Sequence, residues 1–189
     1  MLDREKAARI EETETSRKGI RNFTDEVVKI IQSQYQHLDI LDYTGGALCR
    51  REFNDPEGGI LLVDTAHVLE SNATLVGGRA YVSQPGRVQF CLVRPTADGR
   101  AEVTAISGEL VAGAVGRQAW DFGLPMAAKK GDLIGLYMLD KPLVPFDKSD
   151  TERVAVFKAS IKLGLTLKIE PPSGRGQRAY SFGAVGYLQ

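Results

Sequence analysis

From Gly46 onward the chain alternates short apolar runs with turn residues, and no helical apolar spacing interrupts them. This pattern limits the fold more than any other feature. Ile60-Leu61-Leu62-Val63 follows Asp55-Pro56-Glu57-Gly58-Gly59, and Arg79 to Val82 precedes the turn Gln84-Pro85-Gly86. In Arg87 to Arg94, residues Val88, Phe90 and Leu92 share one face of a strand. Ala97-Asp98-Gly99-Arg100 turns the chain into Glu102 to Ile106, then Glu109 to Val111 and Arg117 to Leu124 follow. Lys129-Lys130-Gly131-Asp132 leads into Leu133 to Leu139, and runs at 154–157, 164–169 and 179–187 complete the set. About nine short strands without intervening helices predict a mainly β, antiparallel sandwich and exclude a doubly wound parallel sheet.

The first 42 residues read differently. Charge dominates as far as Lys18, and Ile20, Phe23, Val27 and Ile30 then follow steps of three and four, continued by Gln34, His37 and Leu41. That is the a/d spacing of a coiled coil, sustained for about three heptads. Val28, Ile31, Tyr35 and Leu38 form a second stripe, so a helix here either joins copies or docks on its own domain. The expected organisation is a charged N-terminal helical arm over 1–42 and a β-sandwich over 43–189, with Tyr43-Thr44-Gly45-Gly46 punctuating the change. Ile20, Phe23, Val27 and Ile30 are the expected oligomerisation residues, and a homo-oligomer the expected state.

Lys+Arg and Asp+Glu both total 24, so no bulk charge holds the chain to nucleic acid or to an anionic membrane. No segment reaches the roughly 18 apolar residues of a membrane span, and the opening residues lack the apolar core of a secretory signal. A charged first segment also lacks the broad apolar face of a membrane-inserting helix. Two N-x-T sequons, at Asn22 and Asn72, read either as glycosylation sites, which implies an extracellular or surface setting, or as chance occurrences of a short motif. Cys49 and Cys91 fit one bridge or two buried free thiols, and no zinc spacing surrounds them.

Enzyme motifs are missing. His37 and His67 are the only histidines; no G-x-S-x-G elbow or H-E-x-x-H occurs, and Gly174-Arg175-Gly176 lies between β segments. His67, in Asp64-Thr65-Ala66-His67, reads as a polar strand or loop residue. The 24 acidic residues leave a glycan hydrolase as a third-rank function, because its carboxylate pair needs no local motif. Asp140, Asp147 and Asp150 could gather loop oxygens for calcium; no other cofactor is expected. Trp120 shares a face with Phe122 and Leu124, which assigns it to the core. Tyr43 and Phe146 are then the expected exposed aromatics, and with Asp147 the expected ligand-binding residues.

The β region resembles jelly-roll modules of extracellular multidomain and bacterial surface proteins, over roughly Gly59 to Tyr187. The likeness rests on Val93-Arg94-Pro95 before a hairpin, on Gly131-Asp132-Leu133-Ile134-Gly135, and on the closing Arg178-Ala179-Tyr180-Ser181. A stalk before a jelly roll ending Tyr180-Ser181-Phe182-Gly183 is also similar, more distantly, to trimeric tumour-necrosis-factor and complement C1q-like heads. The resemblance implies a fold, and it transfers no receptor-binding residue. The expected function is a non-enzymatic adhesive or structural module that binds a glycan or surface protein and self-assembles. A virion capsid, spike or fibre-head subunit is the alternative.

Overall fold

Apolar alternation determines which face each strand buries, and here it builds two cores. The computed structural model describes residues 41–150, 153–169 and 177–188. These hold thirteen strands and no helix. They are β1 (Asp42–Gly45), β2 (Ile60–Asp64), β3 (Ala73–Val82), β4 (Gly86–Pro95), β5 (Arg100–Ile106), β6 (Leu110–Ala112) and β7 (Gly116–Ala128). After them come β8 (Leu133–Met138), β9 (Phe146–Lys148), β10 (Val154–Phe157), β11 (Thr166–Lys168), β12 (Arg178–Tyr180) and β13 (Phe182–Leu188). The chain divides at Ile40/Leu41. Ile20, Phe23, Val27 and Ile30, the sequon at Asn22 and the expected helical arm as far as residue 40 lie outside the described residues, while Asp42, at the end of that expected arm, opens β1.

Four strands form one sheet in the order β1-β13-β3-β7. Seven form a second in the order β10-β2-β8-β4-β5-β11, with β6 added on β4, and β12 pairs with β9 separately. Every pairing is antiparallel. Leu75, Ala80, Phe122, Met126 and Phe182 of the first sheet meet Ile60, Leu62, Val88, Phe90, Leu92 and Leu136 of the second in one buried cluster. The expected mainly β, antiparallel, sandwich-like architecture is therefore present. Gly78 makes the close approach at its centre, because a Cβ there would lie only 2.3 Å from Phe90 Cε2.

The larger sheet is buried on its other face as well. Leu61, Val63, Cys91, Val93, Ala101, Val103 and Leu133 turn away from the central core and are covered by Phe157, Ile161, Leu165 and Leu167. The cover is the chain between β10 and β11, which runs from one edge of that sheet to the other. Burial on both faces explains why all five residues of β2 are buried.

Two expectations fail locally. Tyr43-Thr44-Gly45 is not a turn; it is β1, paired with Val185, Ala184 and Gly183 of β13. Leu124 does not join Phe122 inside but is 67% exposed, since the register between β3 and β7 breaks after Leu75/Met126 and resumes at Gly77/Asp121. Trp120 keeps its place against the core, its ring tilted against Phe90 at 6.0 Å, with Nε1–H donating to Val111 O at 2.8 Å. Cys49 and Cys91 are both free thiols, and only Cys91 is buried.

Candidate functional site

Asp64 ends β2, and its local geometry shapes one end of the sandwich. Its buried carboxylate accepts from the backbone N–H of Ala66 at 2.9 Å and of His67 at 3.1 Å through Oδ1. Oδ2 faces His67 Nδ1 at 2.8 Å. This is an Asx turn closed by its own histidine. The adjoining turn between β7 and β8 is built around Asp132, which accepts from Lys129 N at 2.8 Å, with Gly131 at φ +91°. Arg94 holds Asp132 from the neighbouring strand, Nε and Nη2 reaching the two carboxylate oxygens at 2.7 and 2.8 Å. Those hydrogen bonds raise the Arg94 pKa above its ordinary value. The Val93-Arg94-Pro95 and Gly131-Asp132 motifs are thus two halves of one structural pair.

The two turns are stitched together. Gly131 N donates to Leu69 O at 2.8 Å, Leu69 N to Asp132 O at 3.1 Å, and Lys130 N to Asn72 Oδ1 at 3.0 Å. Between them and the end of β13 lies a cleft of about 740 Å³, lined by Tyr43, Gly45, Ala66 to Glu70, Lys130, Gly131 and Leu188. Tyr43 sits on the outer face of the smaller sheet, 39% exposed, with its hydroxyl donating to Gly46 O at 2.5 Å. Only glycine fits beneath that ring, because a Cβ at Gly183 would lie 2.7 Å from Tyr43 Cζ. Val68 and Leu188, each over two-fifths exposed, add apolar surface. Chemically, the cleft offers an aromatic face, an imidazole, the Glu70 carboxylate and the Lys130 ammonium. A few polar groups converging on apolar walls is the usual make-up of a small-ligand site.

Phe146 and Asp147 are elsewhere. Phe146 is not the exposed ring expected for it: it packs against Phe53 at 5.8 Å and Tyr180 at 5.4 Å, under the Arg178 guanidinium at 4.2 Å. Arg178 and Tyr180 both bind the buried Asp55, Tyr180 donating through its hydroxyl at 2.8 Å. Burial pushes the Tyr180 hydroxyl well above its usual range. Asp147 accepts from Glu52 N at 2.8 Å and lies 3.6 Å from Arg51 Nη1. A second cleft of about 480 Å³ borders this cluster, lined by Asp55, Glu57, Ile60, Val154, Val156, Lys158 and Arg178. Its charges are paired off, Glu57 with Lys158 at 2.7 Å and Asp55 with Arg178. Neither Phe146 nor Asp147 lines the cleft that Tyr43 borders.

Asp140 is clasped by Arg87, at 2.8 and 2.9 Å. Among the described residues no group of three or more His, Cys, Asp or Glu side chains is gathered as a metal site. Asn72 is exposed at its sequon, with Oδ1 engaged by Lys130. No helix among the described residues is long and apolar enough to cross a membrane.

Sequence reasoning left His67 as an ordinary polar residue and missed Glu70 and Lys130 altogether. The available signal was Asp64-x-x-His67 at a strand end, the spacing of an Asx turn. Comparison with protein-family models, curated proteins and solved structures finds no match.

Proposed function

We propose that the chain is a non-enzymatic adhesive or structural module, a jelly-roll head that takes a glycan in the Tyr43–His67 cleft and self-associates. The observation that carries this reading is that cleft: an exposed tyrosine ring beside an imidazole, a carboxylate and an ammonium, the complement of a sugar's apolar face and its hydroxyls. Binding is favoured over nucleophilic catalysis because, among the described residues, no serine, threonine or cysteine side chain is hydrogen-bonded to His67. The jelly-roll assignment is supported by strand order. β1-β13-β3-β7 faces β2-β8-β4-β5, and β1, β2, β3 and β4 fall in alternate sheets, as do β7, β8 and β13.

The test is titration of the full chain with a panel of methyl glycosides, followed by amide chemical shifts. Shifts confined to residues around Tyr43, His67 and Lys130, abolished in Tyr43→Ala, are expected. Turnover of a polysaccharide would instead establish the glycan hydrolase.

A second reading, a virion subunit, is favoured by the outer face of the smaller sheet. Pairing places Tyr43, Val185, Gly77 and Asp121 in one row, Gly45, Gly183, Arg79 and Ala119 in the next, and Tyr81 beside Arg117. Small and aromatic residues interspersed with Arg79, Arg117 and Asp121 on one face suit symmetric contact between copies. Light scattering of the whole chain separates the two: a small closed oligomer fits a surface adhesin, and large assemblies without sugar binding fit a virion component.

A further inference from the structure

We infer that Asp64 is a positioning residue that makes His67 Nε2 a fixed hydrogen-bond acceptor, so that the cleft selects a ligand presenting a hydroxyl donor at that point. The ligand class rests on the glycan reading above; the state of His67 does not. Both Asp64 oxygens are engaged, Oδ1 by two backbone N–H groups and Oδ2 by His67 Nδ1 at 2.8 Å. An ionised carboxylate can only accept, so Nδ1 must carry the proton. In the neutral ring Nε2 is then a lone pair. It has no protein partner among the described residues, on a ring that lines the cleft with 38% of its side chain exposed.

Asp64 itself is 3% exposed at its side chain and locked by the Asx turn, so the ring is oriented before any ligand arrives. The other charged groups bordering the cleft are Glu70, a second acceptor, and Lys130, a donor. Two acceptors and one donor lining the same cleft as Tyr43 suit adjacent sugar hydroxyls, each of which donates one hydrogen bond and accepts another. An anionic ligand would meet Glu70 and the Nε2 lone pair with acceptors of its own, which the site disfavours.

The first experiment is long-range ¹H–¹⁵N correlation of the His67 ring in the full chain at pH 8. A neutral ring protonated at Nδ1 is expected, and protonation at Nε2 overturns the inference. Asp64→Asn keeps an oxygen for Ala66 and His67 N–H but turns an amide donor toward Nδ1, and should switch the proton to Nε2. Any methyl glycoside of glucose, galactose, mannose or N-acetylglucosamine that binds the wild type should bind Asp64→Asn about tenfold more weakly, the scale of one misplaced hydrogen bond in a site. Equal affinity in a variant with unchanged amide dispersion overturns the selection of a hydroxyl by His67. If the wild type binds none of these sugars, the glycan reading falls and the ligand class with it, while the wild-type ring spectrum still decides the role of Asp64. Should Asp64→Asn fail to fold, His67→Gln supplies the affinity comparison, and a sugar indifferent to it overturns the inference.

Discussion

Replacing Arg94 with methionine should cost far more than replacing Asp132 with asparagine, although both break the same ion pair. Asp132 is 1% exposed at its side chain and Arg94 34%. In Arg94→Met the carboxylate stays buried and keeps only the Lys129 N–H, at 2.8 Å. Removing one partner of a fully buried pair costs about 3–5 kcal/mol; with the arginine a third exposed, the lower end, about 3 kcal/mol, applies. In Asp132→Asn the guanidinium can turn to water, and the asparagine oxygen still accepts from Lys129. The loss is then of the order of one hydrogen bond to a charged group, at the lower end for a part-exposed arginine, about 1.5 kcal/mol. The double variant should be less unstable than the sum, with a coupling of about 1–2 kcal/mol, because asparagine removes the stranded charge. Urea unfolding at pH 7 with a constant slope measures all three. If Arg94→Met costs no more than Asp132→Asn, Asp132 is not buried as described, and the account of the turn beside the cleft fails.

Gly78→Val should destabilise by about 1–3 kcal/mol, because the new side chain lands in the Phe90 ring; an unchanged melting temperature would refute the face-to-face packing of the two sheets. Iodoacetamide at pH 8 should alkylate Cys49 and spare Cys91, whose thiol burial pushes up to about 12, until the protein is unfolded. Mass spectrometry showing both cysteines modified in the folded protein would contradict this. Asp140 is held below the ordinary carboxylate value of 3.8 by the hydrogen bonds from Arg87. The stabilisation it contributes is therefore present above that value and lost as pH falls through its folded pKa. In Arg87→Ala its ¹³C-carboxyl titration midpoint should rise toward 3.8, and an unmoved midpoint would show the pair to be absent in solution.

What was legible in the chain is what depends on neighbours in sequence. Val88, Phe90 and Leu92 alternate and enter the central core as read, because a strand needs only its own period to present one face. On the opposite face of the same strand, Cys91 and Val93 are equally buried, and for a reason that lies far along the chain: the segment from Phe157 to Leu165 crosses behind them. The unbroken run Ile60 to Val63 carried a trace of that second cover, since a strand exposed on one side would alternate. Extrapolating period two through Trp120 and Phe122 to Leu124 failed because the register break is set by β3, whose Leu75 and Gly77 pair with Met126 and Asp121. Glycines misled at Gly45, read as punctuation, where the absent side chain serves the close approach of β1 to β13. The cleft follows the same division. The Asp64–His67 contact spans one local turn and was within reach of the sequence. Tyr43, Lys130 and Leu188 arrive from three other strand ends, and only the pairing order brings them to that turn. A site assembled at strand ends in this way has no linear motif to find, so chemistry read from spacing alone was bound to miss Glu70 and Lys130 and to group Tyr43 with Phe146, which does not line this cleft.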